Sequence, residues 1–112
     1  MRAIIYHNPK CGTSRAVLQI LREKGEEPVI IEYLKTPLSF MQLVELAKKL
    51  GGAESLLRSK EPLAAELALQ NGDTDRVLQA IAAHPVLLNR PIVVTSKGAR
   101  VCRPAELVQL LL

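Results

Sequence analysis

The order of apolar segments along the 112 residues predicts an α/β fold, made of a βαβ unit, a helical insertion and a ββα unit that share one mixed four-stranded sheet. Three observations carry this. Two short apolar runs, Ala3 to Tyr6 and Val29 to Tyr33, flank a helical period within about thirty residues, so they should lie parallel. Between about 39 and 83 the chain shows only helical spacing and helix caps. Then Ile92-Val93-Val94-Thr95, the tight turn Ser96-Lys97-Gly98 and Arg100-Val101-Cys102 read as an antiparallel hairpin.

Taken in order, the first run ends in the turn-rich stretch His7-Asn8-Pro9-Lys10-Cys11-Gly12-Thr13. A helix is expected from about Ser14 to Lys24, with Val17, Leu18 and Leu21 on one face and Gly25 as its stop. Ser39 and Gln42 form a capping-box pattern ahead of a helix that buries Leu43, Val44, Leu46, Ala47 and Leu50 and ends at Gly51-Gly52. Glu61-Pro62 opens a short helix running to about Leu69. Asn71-Gly72 breaks the chain, and Asp73 caps a helix from Thr74 to Ala83 with Val77, Leu78 and Ile81 inward. His84-Pro85 ends that helix, because the residue before proline avoids the helical region. Pro104 starts a last helix, with Leu107, Val108 and Leu111 inward. No linker, repeat or low-complexity segment interrupts the chain. The order matches a thioredoxin-like sandwich, a single domain over 1–112 with a helical insertion at about 39–83, a reading made partly by analogy.

Composition narrows the function. Hydrophobic residues make up 48% of the chain, enough for a core without metal or disulfide staples. No apolar run approaches the roughly 20 residues needed to cross a bilayer, and Met1 to Tyr6 is too short for a signal peptide. A cytoplasmic, monomeric protein is therefore expected. The net charge of +4 is modest, and aromatic residues, the usual stacking platforms for single strands, amount to 3%. A small anion suits scattered arginines better than a nucleic acid does. Two histidines, with no cysteine or carboxylate cluster beside either, do not make a zinc site. His84 suits a helix end, and Lys48-Lys49 the solvated face of a helix.

Cys11 lies between a buried strand and a helix N-terminus, where unpaired backbone N–H groups favour an anion. A free thiol with a pKa of about 8.5 is only slightly ionised at neutral pH. Lowering that value by about 2 units requires about 2.7 kcal/mol, whereas a helix end supplies about 0.3–1 kcal/mol and at most about 2. A cation must therefore help. Candidates are His7, Lys10, Arg15, or an arginine brought from a distance by the fold. His7 either assists as a neighbouring charge or is a loop histidine bonded to backbone. A C-x-x-C redox pair would need cysteine at position 14, which is Ser14, and the seven-residue Cys-to-Arg loop of tyrosine phosphatases would need arginine at Val17. Redox turnover at Cys11 therefore needs an outside thiol.

The proline of Asn89-Arg90-Pro91, set at the start of a buried strand, suggests a cis bond in a tight turn. In thioredoxin-like folds that turn lies beside the cysteine loop, which would bring Arg90 into the site; otherwise Arg90 is a solvated loop residue. Arg103 follows the last strand. If it faces the site, alternation turns Cys102 away, as a small buried hydrophobe unsuited to resolve a disulfide.

The chain resembles the glutaredoxin-coupled arsenate reductase family. The matching stretches are Tyr6-His7-Asn8-Pro9-Lys10-Cys11-Gly12-Thr13-Ser14-Arg15, Leu56-Leu57-Arg58, His84-Pro85 through Asn89-Arg90-Pro91-Ile92-Val93-Val94-Thr95, and Gly98-Ala99-Arg100-Val101-Cys102-Arg103-Pro104. The resemblance implies that Cys11 is the nucleophile, helped by His7 and Ser14, and that Arg58, Arg90 and Arg103 bind the oxyanion. It implies that the thiolate attacks arsenate, that glutathione as co-substrate attacks the adduct, and that glutaredoxin reduces the mixed disulfide as arsenite leaves. No bound cofactor is implied. Arg58 follows two leucines, and its assignment rests mainly on this resemblance. The chain departs from many family members in a shorter C-terminus and a shorter stretch Ser59-Lys60-Glu61-Pro62-Leu63, which leaves room for a paralogue acting on another oxyanion or thiol substrate. A further alternative is a regulator resembling the Spx-type proteins that bind RNA polymerase. Those often carry a C-x-x-C switch, which Ser14 removes here.

Overall fold

A computed structural model describes residues 1–69 and 72–112. Its elements are β1 (Ile4–His7), α1 (Gly12–Glu23), β2 (Val29–Glu32), α2 (Phe40–Leu50), α3 (Pro62–Glu66), α4 (Thr74–Ala83), β3 (Ile92–Thr95) and β4 (Gly98–Val101), with 3-10 turns at Glu54–Leu56, Pro85–Leu87 and Ala105–Leu111. The chain divides into two compact units, one of Met1–Thr36 with Arg90–Leu112 and the other of Pro37–Asn89. None of the described helices is long and apolar enough to cross a membrane.

The first unit holds the sheet, in the order β2-β1-β3-β4. β1 pairs parallel with β2, Ile5 opposite Ile30, and antiparallel with β3, Ile5 opposite Val93. β3 pairs antiparallel with β4. This is the expected mixed sheet of four strands. Side chains alternate along a strand, so Ile5 and His7 share the buried face of β1. On α1 the buried row is Ser14, Val17 and Leu21, at helical spacing. The core joins Ile5, Val17, Leu21 and Val93 to Cys102, Val108 and Leu111. Leu21 is fully buried there. Leu21→Ala is therefore expected to destabilise the protein by about 2–5 kcal/mol, read as a lower urea midpoint with an unchanged slope.

Several element boundaries differ from the sequence expectation, each for a physical reason. α1 begins at Gly12, two residues before the expected Ser14, because Cys11 itself is the N-cap, in extended geometry at φ −92 and ψ 122. The last segment is 3-10 and not α, so Ala105, Val108 and Leu111, three residues apart, line up on one edge. Leu107 is accordingly only half-buried. Thr95 Oγ1 donates to the Leu111 carbonyl at 2.8 Å, and the Lys97 ammonium donates to the Leu112 carbonyl.

In the second unit the Ser39–Gln42 capping box forms in both directions, at 3.2 and 2.8 Å. Asp73 Oδ1 accepts from the Arg76 N–H at 2.8 Å, which fixes the start of α4 at Thr74. Leu43, Leu46 and Ala47 of α2 and Val77, Leu78 and Ile81 of α4 are buried, while Val44 and Leu50 are only half-buried. α3 ends at Glu66 and not near Leu69, because the chain turns through Ala68 at φ 54, outside the helical region. The expected break at Asn71 lies outside the described residues. Gly72 N–H donates to the Leu69 carbonyl at 3.1 Å.

Candidate active site

The loop between β1 and α1 is built by its own backbone. Cys11 N–H donates to the Asn8 carbonyl at 3.0 Å, closing a four-residue turn with Pro9 at its second position. Asn8 Oδ1 accepts from the Lys10 N–H at 3.0 Å, and Arg15 Nη1 donates to the Pro9 carbonyl at 2.9 Å. Arg15 N–H donates to the Cys11 carbonyl at 3.0 Å, the first bond of α1. Cys11 thus stands at the helix entrance, a free and partly exposed thiol.

Two distant arginines reach that sulfur. Arg103 Nη1 donates to Cys11 Sγ at 3.7 Å and to the Arg90 carbonyl at 3.2 Å. The Arg90–Pro91 bond is cis, as the sequence suggested, and so is Arg103–Pro104. Cys102 N–H donates to the Pro91 carbonyl at 2.9 Å, which ties the two proline turns together. Burial pushes the Cys11 thiol up, but the Ser14 backbone N–H, the Arg90 and Arg103 guanidinium hydrogen bonds and the Arg90 charge together bring it below its ordinary value. The cation that the helix end lacked is therefore supplied by distant arginines. Arg15, one of the local candidates, spends a donor on the loop backbone.

Of the two sequence readings of His7, the neighbouring charge is the one that its surroundings disfavour. Its ring is buried, and burial, with Arg22 and Arg15 opposing Glu32, lowers its pKa and so disfavours the charged form. Nδ1 shares a 2.6 Å hydrogen bond with Ser14 Oγ, which also accepts from the Asn8 N–H at 3.1 Å. Ser14 fills the polar place in the buried row of α1, and His7 fills the same place on β1. The pair fixes the helix start against the strand and so positions the Ser14 N–H.

Cys102 packs away in the core, its thiol pushed by burial up to about 11. Arg58 lies in the second unit, where its guanidinium meets Glu61 at 3.5 Å and its N–H donates to the Leu87 carbonyl at 2.8 Å. Among the described residues no three His, Cys, Asp or Glu side chains gather as a metal site. The sequence reading missed the Arg15 clamp on Pro9 and the acceptor role of Asn8. The Asn-Pro step, a turn signal, was the available clue.

A low-pKa cysteine at the N-cap of α1, faced by arginines from the cis-proline turn and the end of β4, on a β2-β1-β3-β4 sheet, defines a thioredoxin-like α/β protein. The model of the ArsC family matches residues 6–111. The arsenate reductase of Escherichia coli strain K12 is 47% identical over 107 residues, which is 93% of this chain and 76% of that protein. Two solved structures align closely. A putative arsenate reductase from Yersinia pestis has a TM-score of 0.88 at 43% identity, covering 96% of this chain and 98% of that one. An arsenate reductase from Vibrio cholerae has a TM-score of 0.94 at 41% identity, covering 100% and 98%. The chain belongs to the ArsC family.

Proposed function

We propose that the protein is a cytoplasmic, monomeric arsenate reductase that works with glutathione and glutaredoxin. The observation that carries this reading is Arg103 Nη1 at 3.7 Å from Cys11 Sγ, with the thiol held below its ordinary pKa. The thiolate attacks arsenic, and an arsenate oxygen leaves as water, giving a sulfur–arsenic(V) bond. Glutathione thiolate then attacks the Cys11 sulfur. The S–As electron pair passes to arsenic, which leaves as arsenite, and a Cys11–glutathione disulfide remains. Glutaredoxin takes the glutathionyl group and restores the thiolate.

Arg90 and Arg103, with Arg58 as the third arginine assigned by the resemblance, hold the oxyanion. Their planar forks suit a tetrahedral anion, and each charged hydrogen bond contributes roughly 1.5–3 kcal/mol. They also stabilise charge building on the oxygens during attack. His7 and Ser14 serve by positioning the helix start.

The test is an assay of the purified protein with glutathione, glutaredoxin and an NADPH-recycling reductase. NADPH consumption is expected on adding arsenate. No consumption, together with co-purification of RNA polymerase, would contradict the reading in favour of a regulator. Consumption with another oxyanion or thiol substrate only would make the protein a paralogue.

A further inference from the structure

The turn that delivers Cys11 has its middle peptide, which joins Pro9 to Lys10, held at both ends. The carbonyl, on Pro9, accepts from Arg15 Nη1 at 2.9 Å, and the N–H, on Lys10, donates to Asn8 Oδ1 at 3.0 Å. Asn8 is bound into the loop twice more. Its carbonyl accepts from the Cys11 N–H at 3.0 Å, and its N–H donates to Ser14 Oγ at 3.1 Å. Arg15 is also bound a second time, because its own N–H donates to the Cys11 carbonyl at 3.0 Å. Asn8 and Arg15 thus bracket the residue that carries the thiol, and neither belongs to the set assigned above to the oxyanion.

This grip selects a conformation. Proline at the second position suits turns of types I and II alike, and these differ by a flip of the middle peptide. Type II needs a positive φ at the third position, here Lys10. Among the described residues other than glycine only Ala68 has one, so the type II form is excluded. Asparagine at the first position, accepting from the N–H two residues on, favours the form observed. A flip would turn the Pro9 carbonyl away from Arg15 and the Lys10 N–H away from Asn8, breaking both bonds at once. Cys11 follows directly with the extended backbone of an N-cap, so looseness in this peptide passes to the sulfur. The groups that bring the thiol down stand elsewhere: the Ser14 N–H on α1 and the Arg90 and Arg103 guanidiniums of the two proline turns. The route from Arg15 to the sulfur therefore runs through the turn.

We propose that Asn8 and Arg15 are positioning residues for the reaction at Cys11. By gripping the two ends of the Pro9–Lys10 peptide, they keep the sulfur where the Ser14 N–H and Arg103 meet it. The proposal rests on the reading of Cys11 as the nucleophile and adds the parts that hold it in place.

The experiment is the pH dependence of Cys11 alkylation by iodoacetamide in Arg15→Met and in Asn8→Ala, each made in the full chain. Methionine keeps a long unbranched stem and loses the donors, and alanine loses the Oδ1 acceptor. Each variant is expected to raise the alkylation midpoint by about half a pH unit, about a threefold loss of thiolate on the rising limb. The Arg15→Met shift, taken against wild type at the same salt, should persist in about 1 M potassium chloride, where a screening length of about 3 Å removes the influence of a distant exposed charge. Cys102, fully buried, should stay unmodified in both variants, which reports an intact fold. A role in stability alone would lower the urea midpoint and leave the alkylation midpoint in place. An unmoved alkylation midpoint, or an Arg15→Met shift that salt abolishes, would overturn the proposal. Reaction of Cys102 in both variants would overturn it too, and if Cys102 reacts in one, the other decides. Arsenate-dependent NADPH consumption is measured separately on the wild-type protein. If it is absent while the midpoints move, the proposed reaction fails and the clamp stands. If it is present while they stay, the clamp fails and the reaction stands.

Discussion

Cys11→Ser is expected to reduce arsenate-dependent NADPH consumption to the rate without enzyme, a loss of at least about 10³-fold. A serine hydroxyl stays protonated at neutral pH even beside Arg103, and the Nδ1 of the nearby His7 is committed to Ser14 Oγ at 2.6 Å. The chemistry also needs sulfur itself, which carries the bond to arsenic and then the disulfide with glutathione. Cys11 is only partly buried, so the variant should keep its fold, with stability changed by no more than about 0.5 kcal/mol. Loss of activity with an unchanged urea midpoint separates a chemical role from a structural one. Residual turnover near the wild-type rate would mean that another group carries the reaction.

Arg103→Ala is expected to lower kcat/KM about tenfold at neutral pH. This takes the lower end of the roughly 1.5–3 kcal/mol of a charged hydrogen bond, because Arg103 is exposed and solvent screens it. The loss has a pH signature. The Cys11 pKa is depressed, so the thiolate is present above it and lost below it. Removing Arg103 takes away one of the groups that depress it, so the rising limb of the pH–rate profile should move to higher pH. The deficit should be largest on the acid side and shrink, without vanishing, as pH rises, since Arg103 also holds substrate. Arg103→Lys keeps the charge and should restore part of the limb's position but less of the substrate binding. A deficit independent of pH would show that Arg103 acts on the oxyanion alone.

Much of this arrangement is legible in the sequence where local chemistry decides it. Ser39 with Gln42 and Asp73 before Thr74 mark helix starts that the structure reproduces, because a cap is a bond between near neighbours. The start of α1 lies two residues before the one the sequence suggests, because cysteine is not an ordinary cap and its extended backbone there gives no compositional sign. The 3-10 character of Ala105–Leu111 was hidden because Leu107, Val108 and Leu111 also fit an α period, and only packing against the core chose between them. In the site, the strand-to-helix loop and the proline turn marked Cys11 and Arg90. The pairing of Arg103 with Cys11, 92 residues apart, could not be read from spacing. Nor could the lowered pKa of His7, which burial and nearby arginines set.

The most direct measurement is the pH dependence of Cys11 alkylation by iodoacetamide, with the modified cysteine identified by mass spectrometry. Cys102 should stay silent, being fully buried with its thiol near 11. The rate at Cys11 should rise with a midpoint below the roughly 8.5 of a free thiol, and that midpoint should climb in Arg103→Ala. A midpoint at or above the free-thiol value, unmoved by loss of the arginine, would contradict a sulfur held as an anion by the helix start and its guanidinium partners.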